Sequence, residues 1–136
     1  MIKEANLGKE LVITTPNKIG ALADISKILS DRGINIEGAA GYAMNNEAKI
    51  MLVLDDTLRG KEAVVKGGFK NIKENEVLVV DLENKPGAIK GLTAKLVQEK
   101  IDIKYIYGTT CPEGCPARII ISTTDNEKGL VALKGK

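Results

Sequence analysis

Histidine and tryptophan are absent from this chain, and its only aromatic residues are Tyr42, Phe69, Tyr105 and Tyr107. Without histidine there is no Ser-His or Cys-His nucleophile pair. The carboxylates are scattered with no conspicuous pair on one element, so no catalytic machinery is visible and the chain is not expected to be an enzyme. Sparse aromatics also argue against an RNA-recognition module, which needs a stacking pair on its central strands. An excess of one charge is missing as well: the formal net charge is +2, with both signs mixed along the length. Neither nucleic acid nor an anionic membrane is therefore an expected partner. No apolar run reaches the roughly 18 residues of a membrane span, and no basic start leads into an apolar leader. A soluble cytoplasmic protein is the expectation. Cysteine is scarce too. Cys111 and Cys115, in a Cys-x₃-Cys spacing with no histidine, are too few for a closed tetrahedral zinc site. Without a secretory signal they fit a reducing compartment better than a disulfide framework. No metal and no cofactor is expected.

What the chain does have is a copy of itself. Asn17-Lys18-Ile19-Gly20-Ala21-Leu22 returns as Asn84-Lys85-Pro86-Gly87-Ala88-Ile89, 67 positions later. At the same offset Leu11 pairs with Leu78, Ile13 with Val80, Ile25 with Leu92, Leu29 with Leu96, Ile34 with Ile101 and Ile36 with Ile103. Ala48 to Leu52 returns as Ala117 to Ile121 at an offset of 69, so the second copy carries two extra residues, coincident with Cys-Pro-Glu-Gly-Cys-Pro.

Each copy reads as the same series of elements. Residues 10–14 and 76–82 are rich in Val, Leu and Ile and end at turn formers, as buried strands do. Leu22, Ile25 and Leu29 recur at i, i+3 and i+7 while Asp24, Lys27 and Asp31 take other faces, the stripe of an amphipathic helix. Gly33 supplies its left-handed C-cap. In the second copy Lys100 replaces that glycine, which predicts a helix ending by another, looser route. Residues 34–36 and 101–103 begin a second strand; 48–54 and 117–123 form a third; Asn45-Asn46 and 112–116 make the hairpin turns. Residues 57–66 form a short helix closed by Gly67-Gly68, and 69–74 a fourth strand. The second copy stops within or just after its second helix, residues 126–133, and lacks its last strand. The edge beside residues 76–82 then needs a cover, from another chain or from residues 1–6.

A β-α-β-β-α-β order closes into an antiparallel sheet with helices on one face, the ferredoxin-like architecture. The expected class is α+β, with two tandem units at residues 1–74 and 75–136. The turn Asn-Lys-(Ile or Pro)-Gly-Ala, then an amphipathic helix, then Gly-Ile-Asn-Ile (33–36) or Lys-Ile-Asp-Ile (100–103), closely resembles the signature of ACT domains. Almost the whole chain shares in the resemblance. Ile19 departs from it, standing where the family often has a proline that pre-sets φ in the first helical turn.

The resemblance implies a regulatory module that binds an amino acid or related metabolite and acts in the control of amino-acid metabolism. The alternative is a ligand-free interaction module or regulatory subunit of a metabolic enzyme. The family pattern places the ligand against Asn17, Lys18, Ile19, Gly20, Ala21 and Leu22, or Asn84, Lys85, Pro86, Gly87, Ala88 and Ile89. Asn35 and Ile36, or Asp102 and Ile103, would come from an adjacent unit. A helix N-terminus offers unpaired N–H groups and about half a positive charge to a carboxylate. The asparagine carbonyls can accept from an ammonium, or simply form Asx-turns. Because units of about 65 residues have marginal cores, a homodimer is expected.

Overall fold

The computed structural model describes residues 1–109 and 114–134. Its elements are β1 (Ile2–Pro16), α1 (Ala21–Asp31), β2 (Ile36–Met44), β3 (Glu47–Leu54), α2 (Thr57–Lys66), β4 (Asn71–Leu82), α3 (Ala88–Gln98), β5 (Ile103–Thr109), β6 (Ala117–Thr123) and α4 (Asn126–Leu133). The six strands have the hydrogen-bonded order β2-β3-β1-β4-β6-β5, and the architecture is α+β. Contacts divide the chain into two compact units. The first is Lys9–Asn75; the second is Met1–Gly8 together with the chain from Glu76 onward.

In the first unit β3 pairs antiparallel with β1 (Leu11 opposite Leu52, Ile13 opposite Ile50) and with β2 (Ala40 opposite Met51). Asn45 and Asn46, at φ 55° and 69°, make the two-residue turn between β2 and β3. Positive φ at both turn positions matches the twist of the flanking strands, and asparagine tolerates it. The buried face of α1 sets Ala21, Ile25 and Leu29 on Leu11, Ile13, Ile50, Leu52 and Val64; Leu22, expected in that stripe, is half-exposed, and Ala21 takes its place. The second unit builds the same core one repeat later, from Leu78, Val80, Ala88, Leu92, Leu96, Ile101, Ile119, Ile121 and Leu133. Equivalence extends to the second helices. Asp56 caps α2 by accepting from the Arg59 N–H, and Asp125 caps α4 by accepting from the Lys128 N–H.

The structure departs from the sequence reading at several points. Residues 69–74 and 76–82 are not separate strands around a short connection, because Asn71–Leu82 runs as one strand; no Gly or Pro interrupts it. The second unit has no strand after α4 among the described residues, yet its edge is covered. The start of β1 supplies the missing strand: the Glu83 N–H donates to the Met1 carbonyl at 2.8 Å, and Ala5 enters the second core. Of the two covers considered from sequence, the N-terminal residues are the one observed. The hairpin turn at 112–116 and Cys111 lie wholly or partly outside the described residues; Cys115 is disulfide-bonded, against the expectation of free thiols.

A further correction is at Lys100, which ends α3 by the same route as Gly33 ends α1. Gly33 has φ 70° and Lys100 has φ 59°. The N–H groups of Gly33 and Ile34 reach the carbonyls of Ser30 and Leu29 at 2.9 and 3.0 Å; those of Lys100 and Ile101 reach Val97 and Leu96, both at 2.9 Å. Both are Schellman caps, kept in the second copy because burying Ile101 beneath the helix end outweighs about 1–2 kcal/mol of left-handed strain on a lysine. Lys100→Gly is therefore expected to stabilise the chain by about 0.5–1 kcal/mol, the strain relieved less the added freedom of the unfolded chain. A denaturant midpoint unchanged or lowered by that substitution would show that the lysine is unstrained.

Candidate ligand site

In both copies the first strand hands over to its helix through a left-handed glycine. Gly20 (φ 93°) and Gly87 (φ 91°) are the N-cap residues of α1 and α3, and no side chain caps either helix. Ser, Thr, Asp or Asn would normally fill this position and satisfy an orphan N–H. A glycine here leaves the first turn open to an external acceptor. The space a Cβ would occupy at Gly20 has no atom within 4 Å, whereas at Gly87 the Met1 Cε lies 3.6 Å from it.

Residues 17–22 come together at the start of α1. The Asn17 N–H donates to the Asn46 carbonyl at 2.8 Å, tying the loop to the β2–β3 turn. Ala21 is buried, Leu22 is half-exposed, and Ile19 is fully exposed, packing against nothing in its own unit. Asn35 and Ile36 stand at the other end of α1. Eleven residues at about 1.5 Å each put the two groups roughly 16 Å apart, so a single unit does not unite them. The backbone N–H and C=O of Asn35 are both engaged, by the Asp55 carboxylate at 3.0 Å and the Asp55 N–H at 3.1 Å. Asp102 is held likewise by Thr124, its N–H donating to Oγ1 at 3.1 Å. In the second loop the Lys85 N–H turns back to the Glu83 carbonyl and the Ala88 N–H to the Lys85 carbonyl. Asn84, Pro86 and Ile89 are exposed, Ala88 is buried, and Ile103 is half-buried.

Sequence reasoning missed a cleft of the first unit, a cavity of about 790 Å³ beside the loop. Of the residues predicted for the site only Lys18 lines it; with it stand Asp24, Lys27, Glu47, Lys70 and Asn71. Both signs of charge face one space, which suits a zwitterion better than a simple anion. Lys27 is also bound to Asp31 at 2.6 Å, and that hydrogen bond, reinforced by the charge of Asp31, raises its pKa above the ordinary lysine value. The available signal was Gly67-Gly68. Gly68, at φ 101°, turns the chain back after α2 and sends Lys70 and Asn71 along the end of β1. A smaller cavity of about 400 Å³ lies at the far end of α1, lined by Ser26, Ser30 and residues 33–36.

No helix among the described residues is long and apolar enough to cross a membrane. No curated protein matches the chain in sequence. Solved structures do match its fold. Protein BT0572 from Bacteroides thetaiotaomicron is 22% identical, with 96% of this chain and 88% of that one covered and a TM-score of 0.87. The ligand-free regulatory subunit of aspartate kinase from Thermus thermophilus is 15% identical, with 98% and 96% covered and a TM-score of 0.71. The alpha and beta subunits of an aspartokinase match at 15% identity and a TM-score of 0.67, with 98% and 96% covered. At these identities the likeness is one of fold. In sequence, residues 9–62, which hold the first loop, α1 and the β2–β3 hairpin, match the family model described as the ACT domain.

Proposed function

We propose that this chain is a non-enzymatic cytoplasmic regulator built from two ACT units, which binds an amino acid and passes its presence to a metabolic enzyme. The observation that carries the reading is the uncapped start of α1 behind Gly20, with open space over the glycine and a cleft of mixed charge alongside. The ligand carboxylate docks on the N–H groups of Ala21 and Leu22, and the Asn17 side-chain carbonyl accepts from its ammonium. Asn35 and Ile36 complete the site from a second copy of the chain, because within one unit they lie at the far end of α1. A homodimer is part of this reading. Asn84 to Ile89, with Asp102 and Ile103, are the equivalent residues of the second unit. The likeness in fold to a regulatory subunit of aspartate kinase supports a role in amino-acid metabolism.

A sensor has to release its ligand as the metabolite falls, which sets the affinity at micromolar to millimolar, about −4 to −8 kcal/mol. A few charge-assisted hydrogen bonds of roughly 1.5–3 kcal/mol each supply that. The test is a thermal-shift screen against the twenty amino acids. Ligand at about 100 times its Kd stabilises the native state by about 2.7 kcal/mol, a rise in Tm of several degrees for one amino acid or a close pair. If none raises Tm, the chain is a ligand-free interaction module.

A further inference from the structure

The two loops that the repeat makes equivalent differ in what stands over their glycine, and the difference traces to one pair of residues. Glu83 follows the last residue of β4; its counterpart 67 positions earlier is Pro16. The Glu83 N–H holds the Met1 carbonyl at 2.8 Å. Its carboxylate lies 3.6 Å from the Met1 ammonium and 3.3 Å from the Lys85 ammonium. Both cations, Lys85 foremost, lower the pKa of Glu83. Held in this way, Met1, itself half-exposed, brings its Cε 3.6 Å from the position a Cβ would take on Gly87. A proline has no N–H to give. At the first loop β4 begins only at Asn71, and the space bounded by Pro16, Lys18, Lys70 and Asn71 is part of the 790 Å³ cleft.

We propose that Met1 closes the second loop, with its side chain over Gly87 and its backbone on Glu83, so that each chain takes up one amino acid, at the first loop alone. The inference rests on the reading of both loops as carboxylate docks, and it sets their stoichiometry. Met1 acts as a tethered occupant: its thioether is flexible enough to lie along a glycine surface, and its carbonyl is held by an N–H that the proline of the first loop does not possess. The repeat thus carries one open copy of the loop and one over which its own chain lays a methionine.

The test converts the second loop into the first. Glu83→Pro removes the N–H and the carboxylate together, and proline is already accommodated at the equivalent strand position, Pro16. Equilibrium dialysis of each of the twenty amino acids, radiolabelled, against the full chain is expected to give one equivalent per chain for the parent and two for Glu83→Pro. The second equivalent should disappear when Gly87→Asp is added. Two equivalents in the parent, or one in a folded Glu83→Pro, would overturn the inference. A readout independent of ligand separates its failure from failure of the functional reading. In protein labelled at the methionine methyls, the Met1 methyl is expected to show a nuclear Overhauser contact to the Gly87 α-protons, lost in Glu83→Pro. Absence of that contact in the parent refutes the closure whatever binds; its presence with no amino acid bound leaves Met1 seated and refutes the stoichiometry together with the functional reading.

Discussion

Gly20→Asp is expected to abolish amino-acid binding and leave the chain folded. Its carboxylate would extend into the open space over Gly20, where the ligand carboxylate docks on the first turn of α1. Two like charges competing for the same N–H groups lose more than the roughly −4 to −8 kcal/mol on which a reversible sensor operates. The substitution also has a backbone cost, because φ at Gly20 is 93°. About 1–2 kcal/mol of left-handed strain falls on any residue with a Cβ, a tolerable part of the roughly 5–15 kcal/mol typical of a folded domain. Gly20→Ala carries the same strain without the charge and is expected to keep most of the affinity. Titration calorimetry on both variants, with circular dichroism to confirm folding, distinguishes charge from geometry. Were Gly20→Asp to bind the stabilising amino acid as tightly as the parent, the left-handed glycine would be a turn device and nothing more.

The largest loss of stability is expected from Leu29→Ala. Leu29 is fully buried, its carbonyl accepts the Ile34 N–H in the C-cap of α1, and its Cδ2 lies 3.5 Å from the position a Cβ would take on Gly60 of α2. One side chain thus joins α1 to α2 and lies under the helix end, so the hole left by truncation cannot collapse without moving an element. About 2–5 kcal/mol is the expected cost, read as a lower urea midpoint at constant slope. Leu96→Ala is expected to behave alike in the second unit, where Leu96 faces Gly129 of α4 at 3.6 Å by the same measure. A cost below about 1 kcal/mol at either position would mean that the helices can close over the gap, contrary to their packing on glycine.

Much of this molecule was readable before its structure. The bounds of α2 and α4 follow from short runs of helix formers that stop at Gly67-Gly68 and, in α4, at the last apolar residue of the repeat, Leu133. Both cores are built from the pairs that the offsets of 67 and 69 bring into register, as with Leu11 and Leu78, Ile25 and Leu92, or Leu52 and Ile121. The site was legible only as a loop. Its residues 17–22 do gather at one helix end, but the cleft beside them draws on Lys70 and Asn71, which no local pattern connects to Lys18.

Periodicity, caps and turn residues act over a few positions of chain, and for that reason the sequence by itself determined the helices, the Asn45-Asn46 turn and the apolar faces of the strands. Which segment covers an edge, and which backbone strain is tolerated, depend on partners far apart in the chain. Only the tertiary structure decided that the first eight residues of the chain complete the second unit and that Lys100 bends left-handed to bury Ile101. It alone placed a wholly buried carboxylate, Glu10, within 3.4 Å of the Asn75 amide. In each case the deciding energy is burial or hydrogen bonding between residues that no short window of sequence contains.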